Sequence, residues 1–349
     1  MADGDPVFFS AHRIHAGKWR RYHGEGWRQL LDIKTQLLNA RDVLWLAVGF
    51  LESFWLLSRQ RPAAMLVKGG FVGVPAATAG RLLGVPYMTH DSDAVAGLAN
   101  RLVAGGAKLH ATAFPVGNYS YPTHRVVQTG VPISDAFRPL GADQVAQAKQ
   151  KLGLHTDQPV LLIAGGGLGA ARLNELISKA AVKLINEIPR LHVYHLAGDA
   201  HQAGLAAAYR RLLPAQTIGN VTVYGFYDRP YLLSAAADVV VTRAGATALA
   251  EFAAQAKACL VVPNRQLTGG HQHKNAQALA EQGAVVLADE SQSAEALAGQ
   301  LKELLNDPGR RLRLARKLSA SVNGGAAERV ATLLLQLADG KNKGVQRQS

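Results

Sequence analysis

The sequence predicts an α/β protein built from two doubly wound domains, each with a parallel sheet. Short apolar segments alternate with helix-like segments along the chain, which is typical of parallel sheets with helical crossovers. The 349 residues are enough for two domains of ordinary size, and 48% of them are apolar, enough for a sizeable core. A proline-containing stretch at 130–140 separates two such series and is the natural linker.

The elements of the first half follow one another in a regular order. We predict strands at 7–9, 64–67, 87–90, 109–113 and 125–127, and helices at 27–59, 74–83 and 91–103. Within the first helix, the segment 43–57 is strongly apolar, but it is shorter than a membrane span and contains Glu52. We expect it to be buried rather than to lay its outer face in a membrane interface. That outer face comprises Trp45, Phe50, Phe54 and Trp55.

The second half repeats the pattern with more strands. We predict strands at 160–163, 192–196, 221–223, 239–241, 259–262 and 285–287, and final helices at 294–305 and 326–337. The expected domains are 1–137 and 138–325, with a helix at 326–340 packing back toward the first domain and a disordered tail at 341–349. Open α/β domains bind ligands at the carboxyl ends of their strands, so we expect a ligand cleft between the domains.

Composition narrows the classes of partner. A formal charge of +13 and a pI near 10.0 indicate an anionic partner, either nucleic acid, an anionic membrane face or a phosphorylated substrate. Nucleic acid is disfavoured, because aromatic residues make up only 6% and no nucleic-acid-binding signature is present. The single cysteine, Cys259, rules out a disulfide framework and a thiolate zinc site, and we expect it in the core. The acidic start of the chain lacks a signal peptide, which predicts a cytoplasmic protein.

Basic residues around the apolar segment add to the case for an anionic membrane. They could meet anionic lipid headgroups on either side of it. These residues are Arg20, Arg21, Arg28, Arg41, Arg59 and Arg61.

A glycine run after the strand at 160–164 predicts a phosphate site. It comprises Gly165, Gly166, Gly167, Leu168, Gly169 and Ala170, and a helix-like segment starts at Ala171. Glycines let the backbone approach an anion closely, and free N–H groups at a helix start carry partial positive charge. The same pattern also serves merely to pack a helix on a sheet, so it is not decisive alone.

A second constellation follows about eighty residues later. The strand at 239–241 delivers Arg243, Gly245 permits a tight turn, and a helix then begins at Ala246. Glu251, in the second turn of that helix, could accept hydrogen bonds from two vicinal hydroxyls, as on a ribose. The alternative is an ion pair between Arg243 and Glu251 that caps the helix, and the segment alone does not decide.

The segment 268–275 offers imidazoles and amides beyond the next strand. His271 and His273 are too close in sequence to share a helical face, and no acidic residue has ligand spacing, which disfavours zinc. Amides and imidazoles at loop tips instead suit a hydroxyl-rich ligand, which favours His271 and Gln272 as contacts.

Polar residues at 90–93 lie where a strand of the first domain ends. His90, Asp91 and Asp93 are candidates for a general base, and the D-x-D pattern occurs at metal sites of some sugar-nucleotide enzymes. The alternative is structural: Asp91 or Ser92 would be the N-cap of the following helix.

Taken together, these residues resemble the MurG-like members of glycosyltransferase family 28, which have the GT-B fold. The resemblance spans about residues 7–340 and rests on an ordered series of motifs. These are KGGFVGVP (68–75), HDSDAVAGLAN (90–100), TGVPI (129–133), GGGLGAARLN (165–174), RAGATALAE (243–251) and GHQHKNA (270–276).

The resemblance implies an inverting transferase at the cytoplasmic face of the plasma membrane. It would move N-acetylglucosamine from a UDP-sugar to a lipid-linked pyrophosphate acceptor of peptidoglycan biosynthesis, with no metal or other cofactor required. Donor contacts would come from Gly166, Gly167, Gly169, Ala170, Asn174, Arg243, Gly245, Ala246, Glu251, His271, Gln272 and Asn275. Acceptor contacts would come from Gly69, Gly70 and Asn100, and the base from His90, Asp91 or Asp93.

The departures from the family pattern are also informative. Gly167 and Leu168 replace a serine and a glutamine, and Ala248 replaces a threonine. The family's first glycine loop, GGTGGH, is missing, so we expect an incomplete first domain whose lost strands lie upstream or on a partner chain. The alternatives are a partner-dependent or non-catalytic UDP-sugar-binding remnant and a transferase with another glycolipid acceptor. A sugar-nucleotide 2-epimerase is disfavoured because several cleft carboxylates are lacking.

Overall fold

The computed structural model describes residues 10–17, 33–165, 171–264, 271–322 and 324–340. They form two compact units. Unit 1 comprises the chain up to Gly130 together with the part from Ala327 onward, and unit 2 is Val131–Ala326. The predicted strand at 7–9, the predicted tail at 341–349, and Arg20, Arg21 and Arg28 lie outside the described residues.

Unit 1 contains a parallel sheet of four described strands in the order β1-β2-β3-β4. The strands are β1 (Met65–Val67), β2 (Tyr87–Asp91), β3 (Leu109–Thr112) and β4 (Val126–Gln128), and the helices are α1 (Ile33–Gln60), α2 (Gly73–Leu82) and α3 (Leu98–Val103). Every residue of β2 is buried, because helices cover both faces of the sheet. Val330 and Leu337, from the last helix of the chain, pack on Met88 and Leu109.

The prediction of a helix over 91–103 is wrong in its first half. Asp91 is the last residue of β2, and α3 begins at Leu98 with Gly97 as its N-cap. The predicted capping by Asp91 or Ser92 is therefore also wrong. The Asp91 carboxylate accepts hydrogen bonds from the Gly97 N–H (3.0 Å) and the Asn100 amide (2.9 Å). These bonds hold residues 92–97 as a loop.

The expectation that segment 43–57 is buried is also wrong. Leu44, Leu51 and Trp55 are 68%, 66% and 61% exposed on one side of α1. Glu52 is bound by His15, whose backbone N–H and Nδ1 each lie 2.7 Å from its carboxylate. No helix among the described residues is long and apolar enough to cross a membrane.

Unit 2 contains a six-stranded parallel sheet in the order β10-β9-β8-β5-β6-β7. Its strands are β5 (Val160–Ala164), β6 (His192–Leu196), β7 (Val221–Tyr224), β8 (Val239–Thr242), β9 (Ala258–Val261) and β10 (Val286–Leu287). The chain runs from β5 outward to one edge and then returns to β8 on the other side of β5. The carboxyl ends of β5 and β8 therefore form a topological switch point, where α/β sheets bind ligands.

Nine helices of the described chain follow α3. They are α4 (Ala142–Lys151), α5 (Ala171–Glu187), α6 (Asp199–Leu212), α7 (Pro230–Ala236), α8 (Ala246–Ala254), α9 (His271–Glu281), α10 (Ala294–Asn306), α11 (Pro308–Ala320) and α12 (Ala326–Ala338). The sequence analysis missed α11, which begins with Asp307 as N-cap and Pro308 in its first turn. Cys259 is fully buried and unpaired, which confirms its predicted place in the core, and burial raises the pKa of its thiol to about 12.

Candidate functional site

The switch point of unit 2 brings two predicted motifs to the same edge of the sheet. Ala164, at the end of β5, pairs in register with Thr242, at the end of β8. The Thr242 hydroxyl is buried and has no hydrogen-bond partner among the described residues. The predicted phosphate contacts Gly166, Gly167, Gly169 and Ala170 lie outside those residues, and α5 begins directly after them at Ala171.

Gly245 opens the helix that follows β8. It is the N-cap of α8, with an ordinary φ of −70°, and no side chain caps the first turn. A Cβ placed on Gly245 would meet nothing within 4 Å, so packing within the protein does not require glycine here. The open side of Gly245 leaves room for a ligand to approach the backbone, and the N–H groups from Ala246 onward provide partial positive charge.

A cavity of about 310 Å³ lies beside this helix start, entirely within unit 2. Its lining is mainly apolar and aromatic and includes one carboxylate, that of Glu251. The lining residues are Phe137, Leu162, Ala164, Leu196, Gly225, Phe226, Tyr227, Pro230, Thr247, Ala248, Glu251 and Phe252. A concave apolar cavity with a few polar groups is typical of a small-molecule site.

Glu251 is the most unusual group of this cavity. Burial raises the pKa of its carboxyl to about 7, because the charged form is poorly solvated there. Within the described part of the chain, no hydrogen bond or ion pair to this carboxylate is found. A half-buried carboxylate without a protein partner is arranged to receive hydrogen-bond donors from a ligand.

Arg243 does not pair with Glu251, so the alternative of an Arg243–Glu251 ion pair that caps the helix is wrong. Its guanidinium donates to the Val262 carbonyl (3.0 Å) and binds the carboxylate of Glu290, and both side chains of this ion pair are largely buried. Arg172, near the start of α5, lies 4.0 Å from the other Glu290 oxygen. Arg243 thus joins the ends of β8 and β9 to the segment after β10.

Three residues predicted to contact the sugar donor form hydrogen bonds at the same edge of the sheet through their side-chain amides. Asn275 donates to the Ala244 carbonyl at 3.1 Å, which fixes the turn before α8. Gln272 accepts a hydrogen bond from the Asn264 N–H at 2.9 Å. Asn174 donates to the carbonyl at the end of the β6 segment, that of Ala197, at 2.9 Å. These bonds hold the loops around the cavity in place.

His271 is the first residue of α9 and is half-buried. Its Nδ1 is buried without a hydrogen-bond partner among the described residues.

In the ranges that the structure describes, no group of three or more histidine, cysteine, aspartate or glutamate side chains could hold a metal ion.

In unit 1, both carboxylate oxygens of Asp91 accept hydrogen bonds from the protein itself. In addition to the Gly97 and Asn100 donors, the Tyr121 hydroxyl donates to its second oxygen at 2.8 Å. Tyr121 stacks on His110 with ring centroids 3.9 Å apart. These three donors fix the position of the buried Asp91 carboxylate.

His90 and Asp93 differ in exposure. The His90 side chain is fully buried, and its two ring nitrogens face the Gly130 carbonyl (3.0 Å) and the Ser92 hydroxyl (3.3 Å). Asp93 is half-exposed, and its backbone carbonyl accepts a hydrogen bond from the Tyr119 hydroxyl at 2.7 Å. Of the three candidate bases, Asp93 is the least buried.

The predicted acceptor residues lie close to one another after β1 and in α3. Gly69 and Gly70 have φ of +85° and +78°, the left-handed region that glycine adopts readily. A Cβ on Gly69 would lie 4.0 Å from the Asn100 side-chain oxygen, which is buried and has no partner within the described residues.

Comparison with known proteins decides the family. A model of the family 28 glycosyltransferase N-terminal domain matches residues 13–111, and a model of the family's C-terminal domain matches residues 160–330. The chain belongs to glycosyltransferase family 28. The expected GT-B fold, with a parallel sheet in each of two units, is confirmed, and so is the expected enzyme class.

Relatives of this family 28 enzyme match over most of its length. A UDP-N-acetylglucosamine–N-acetylmuramyl-(pentapeptide) pyrophosphoryl-undecaprenol N-acetylglucosamine transferase of Aromatoleum aromaticum is 36% identical over 95% of this chain and 84% of its own. The enzyme of the same name from Thermus thermophilus is 34% identical over 82% of this chain and 77% of its own.

Solved structures agree with this assignment. The crystal structure of Acinetobacter baumannii MurG superposes with a TM-score of 0.66 at 27% identity, covering 84% of this chain and 79% of that one. A UDP-GlcNAc 2-epimerase from Neisseria meningitidis superposes with a TM-score of 0.61 at 14% identity, covering 84% and 81%. At that identity the epimerase shares the fold alone.

Sequence reasoning missed several residues that the structure brings to these sites. Phe226 and Tyr227 follow the end of β7 and line the cavity, and Glu290 follows β10 and binds Arg243. All three come just after a strand, which was the signal that could have found them. Tyr121 had no such signal, because it comes from an irregular loop.

Proposed function

We propose that this family 28 enzyme transfers N-acetylglucosamine from UDP-N-acetylglucosamine to the lipid-linked muramoyl-pentapeptide of peptidoglycan synthesis. Support comes from the names of the relatives, which match most of the chain. The observation that carries the proposal is the cavity of unit 2, where the Glu251 carboxylate, in the second turn of α8, has no hydrogen-bond or ion-pair partner among the described residues.

The donor would bind with its nucleoside in this cavity. Phe226, which is 68% exposed, and Tyr227 offer aromatic faces for the uracil, and Glu251 would accept hydrogen bonds from the ribose hydroxyls. The diphosphate would lie at the starts of α8 and α5, whose N–H groups stabilise the charge that develops on the departing UDP. His271 and Gln272, at the start of α9, would contact the sugar.

The acceptor would be activated from unit 1. We assign the general base to Asp93, because His90 and Asp91 are buried whereas Asp93 is half-exposed. The Asp93 carboxylate would accept the proton of the acceptor hydroxyl. The acceptor oxygen would at the same time bond to C1 of the sugar with inversion. The bond from C1 to the phosphate oxygen breaks, and UDP leaves with that electron pair.

The enzyme would act as a peripheral protein on the inner face of the plasma membrane. The exposed face of α1 supports this: Leu37, Leu44 and Leu51 recur every seven residues, and Trp55 extends the row. Arg59 lies over the Trp55 ring at 5.6 Å, and Arg41 and Arg61 add positive charge. An apolar helical face bordered by arginines is suited to an anionic lipid surface.

The proposal also includes a partner chain, which would supply the strands missing from unit 1. β1 pairs with β2, and on its other side no described strand pairs with it. Unpaired strand edges readily accept another strand. Light scattering on the purified protein tests whether a second copy of this chain pairs with that edge, and a monomer at all concentrations would leave only a different chain as the partner.

Calorimetric titration tests the donor site. We expect the wild type to bind UDP-N-acetylglucosamine in preference to UDP-glucose and GDP-mannose, and Glu251→Ala to lose that binding. Glu281→Ala, an exposed residue at the end of α9, is the matched control. Absence of binding by folded wild-type protein would refute the donor assignment. Binding without transfer to a lipid-linked acceptor in detergent would instead favour a UDP-sugar-binding remnant.

A further inference from the structure

The chain leaves unit 1 through a buried turn at Thr129 and Gly130. The N–H groups of both residues donate to the Thr112 carbonyl, at 2.8 and 3.2 Å, so the turn is closed against β3. Gly130 has a φ of +86°, where a side chain would cause strain. The Thr129 hydroxyl donates to the Gly130 carbonyl at 3.2 Å, and both carbonyls of the turn also accept from side chains elsewhere in unit 1.

Two side chains distant in sequence bind these carbonyls. Arg329 donates from Nε (3.2 Å) and Nη2 (2.5 Å) to the Thr129 carbonyl, and it lies two residues after the chain re-enters unit 1 at Ala327. His90, in β2, binds the Gly130 carbonyl through Nε2 at 3.0 Å. We call the group of His90, Thr129, Gly130 and Arg329 the boundary clasp.

The partners of His90 fix the state of its ring. A carbonyl can only accept, so Nε2 carries the proton, and Nδ1 therefore accepts from the Ser92 hydroxyl. Burial lowers the pKa of His90, which keeps the ring neutral. One imidazole thus connects the Gly130 carbonyl to the loop that carries Ser92 and Asp93.

We infer that His90 is a positioning residue: through the boundary clasp it holds the loop of Ser92 and Asp93 against the turn at which the chain leaves unit 1. Arg329 holds the other carbonyl of the same turn. The inference rests on the proposed function, because it takes Asp93 to be the group that meets the acceptor. His90 itself touches no substrate, since its side chain is fully buried.

Two substitutions of His90 separate positioning from base catalysis. In His90→Gln the side-chain amide can reach the place of Nε2 and donate to the Gly130 carbonyl, whereas in His90→Asn it is too short. We expect transfer by the glutamine variant to stay within about threefold of wild type and transfer by the asparagine variant to fall at least about tenfold, since small misplacements cost this much. Affinity for UDP-N-acetylglucosamine, bound by unit 2, should change in neither variant.

Hydrogen exchange supplies a readout that does not require transfer. We expect amide exchange in segments 88–97 and 127–133 to be faster than in wild type in two variants, Arg329→Met and His90→Asn. In His90→Gln, exchange in both segments should stay as in wild type. The control is Gln336→Met, an exposed position on the same helix. Urea unfolding of each variant checks that it is folded at the temperature of the exchange.

The outcomes separate the inference from the proposed function. Equal loss of transfer in both His90 variants, with exchange unchanged, would make His90 the base and overturn the inference. Unchanged exchange in both Arg329→Met and His90→Asn would overturn it as well. If the variants show the expected exchange pattern but the wild type transfers no sugar, the boundary clasp is supported and the proposed function fails.

Discussion

The charged form of Glu251 lowers the free energy of unfolding of the protein, and the substitution Glu251→Gln should show by how much. The structure raises the pKa of this carboxyl from 4.5 to about 7 by burial alone. In the folded protein Glu251 therefore holds its proton until about pH 7, whereas in the unfolded chain it loses it near pH 4.5. Between these values the folded state binds more protons, so the free energy of unfolding falls as the pH rises through this window.

The magnitude follows from the same shift. At about 1.4 kcal/mol per factor of ten in proton affinity, the full shift would cost the wild type roughly 3 kcal/mol at pH 8 and below roughly 1 kcal/mol at pH 5, and because Glu251 is only half-buried, water screens the charge and reduces this cost to about half. Glu251→Gln removes this titration. Relative to wild type, its free energy of unfolding should therefore improve by about 1 kcal/mol from pH 5 to pH 8.

Urea unfolding at both pH values measures this difference. Glu281→Gln, an exposed carboxylate in the same unit, is the control and should show no such change. A Glu251→Gln effect that is equal at pH 5 and pH 8 would refute the reasoning, because the carboxylate would then not be desolvated in the folded state. The variant should also lose affinity for UDP-N-acetylglucosamine at pH 8, where the wild-type carboxylate is charged, and should differ little from wild type at pH 5, where the wild-type carboxyl is already protonated.

Other perturbations test the remaining structural arguments. In the wild type, affinity for UDP-N-acetylglucosamine should rise about tenfold from pH 6 to pH 8 as Glu251 ionises, and a flat calorimetric profile would contradict this role. Arg243→Met should destabilise the protein by about 3 kcal/mol in urea unfolding, because it leaves the buried Glu290 carboxylate with only the more distant Arg172, at 4.0 Å; the further change Glu290→Leu should restore much of this. Trp55→Gln should weaken sedimentation with phosphatidylglycerol vesicles while donor affinity stays unchanged.

The sequence was sufficient for the periodic and local features of this enzyme. Alternating apolar segments predicted both parallel sheets, and the motif order predicted family 28. Glu251 was predicted as a donor contact from its place after a strand and a glycine turn; the structure places it in the lining of the cavity of unit 2, and its contact with the donor stays a prediction. Such features depend on residues within one strand–turn–helix unit, where sequence spacing fixes spatial proximity.

Tertiary structure decided the partners of the charged and polar groups. Arg243 binds Glu290, 47 residues away, instead of the nearby Glu251, and Asp91 is bound by Tyr121 from a loop without periodicity. Segment 43–57 looked like a buried helix, yet its exposed face depends on which elements pack against it. Sequence periodicity by itself determined which elements form in this protein, whereas only the folded chain determined which distant side chains meet, because ion pairs and hydrogen bonds act over a few ångströms of space regardless of their separation along the chain.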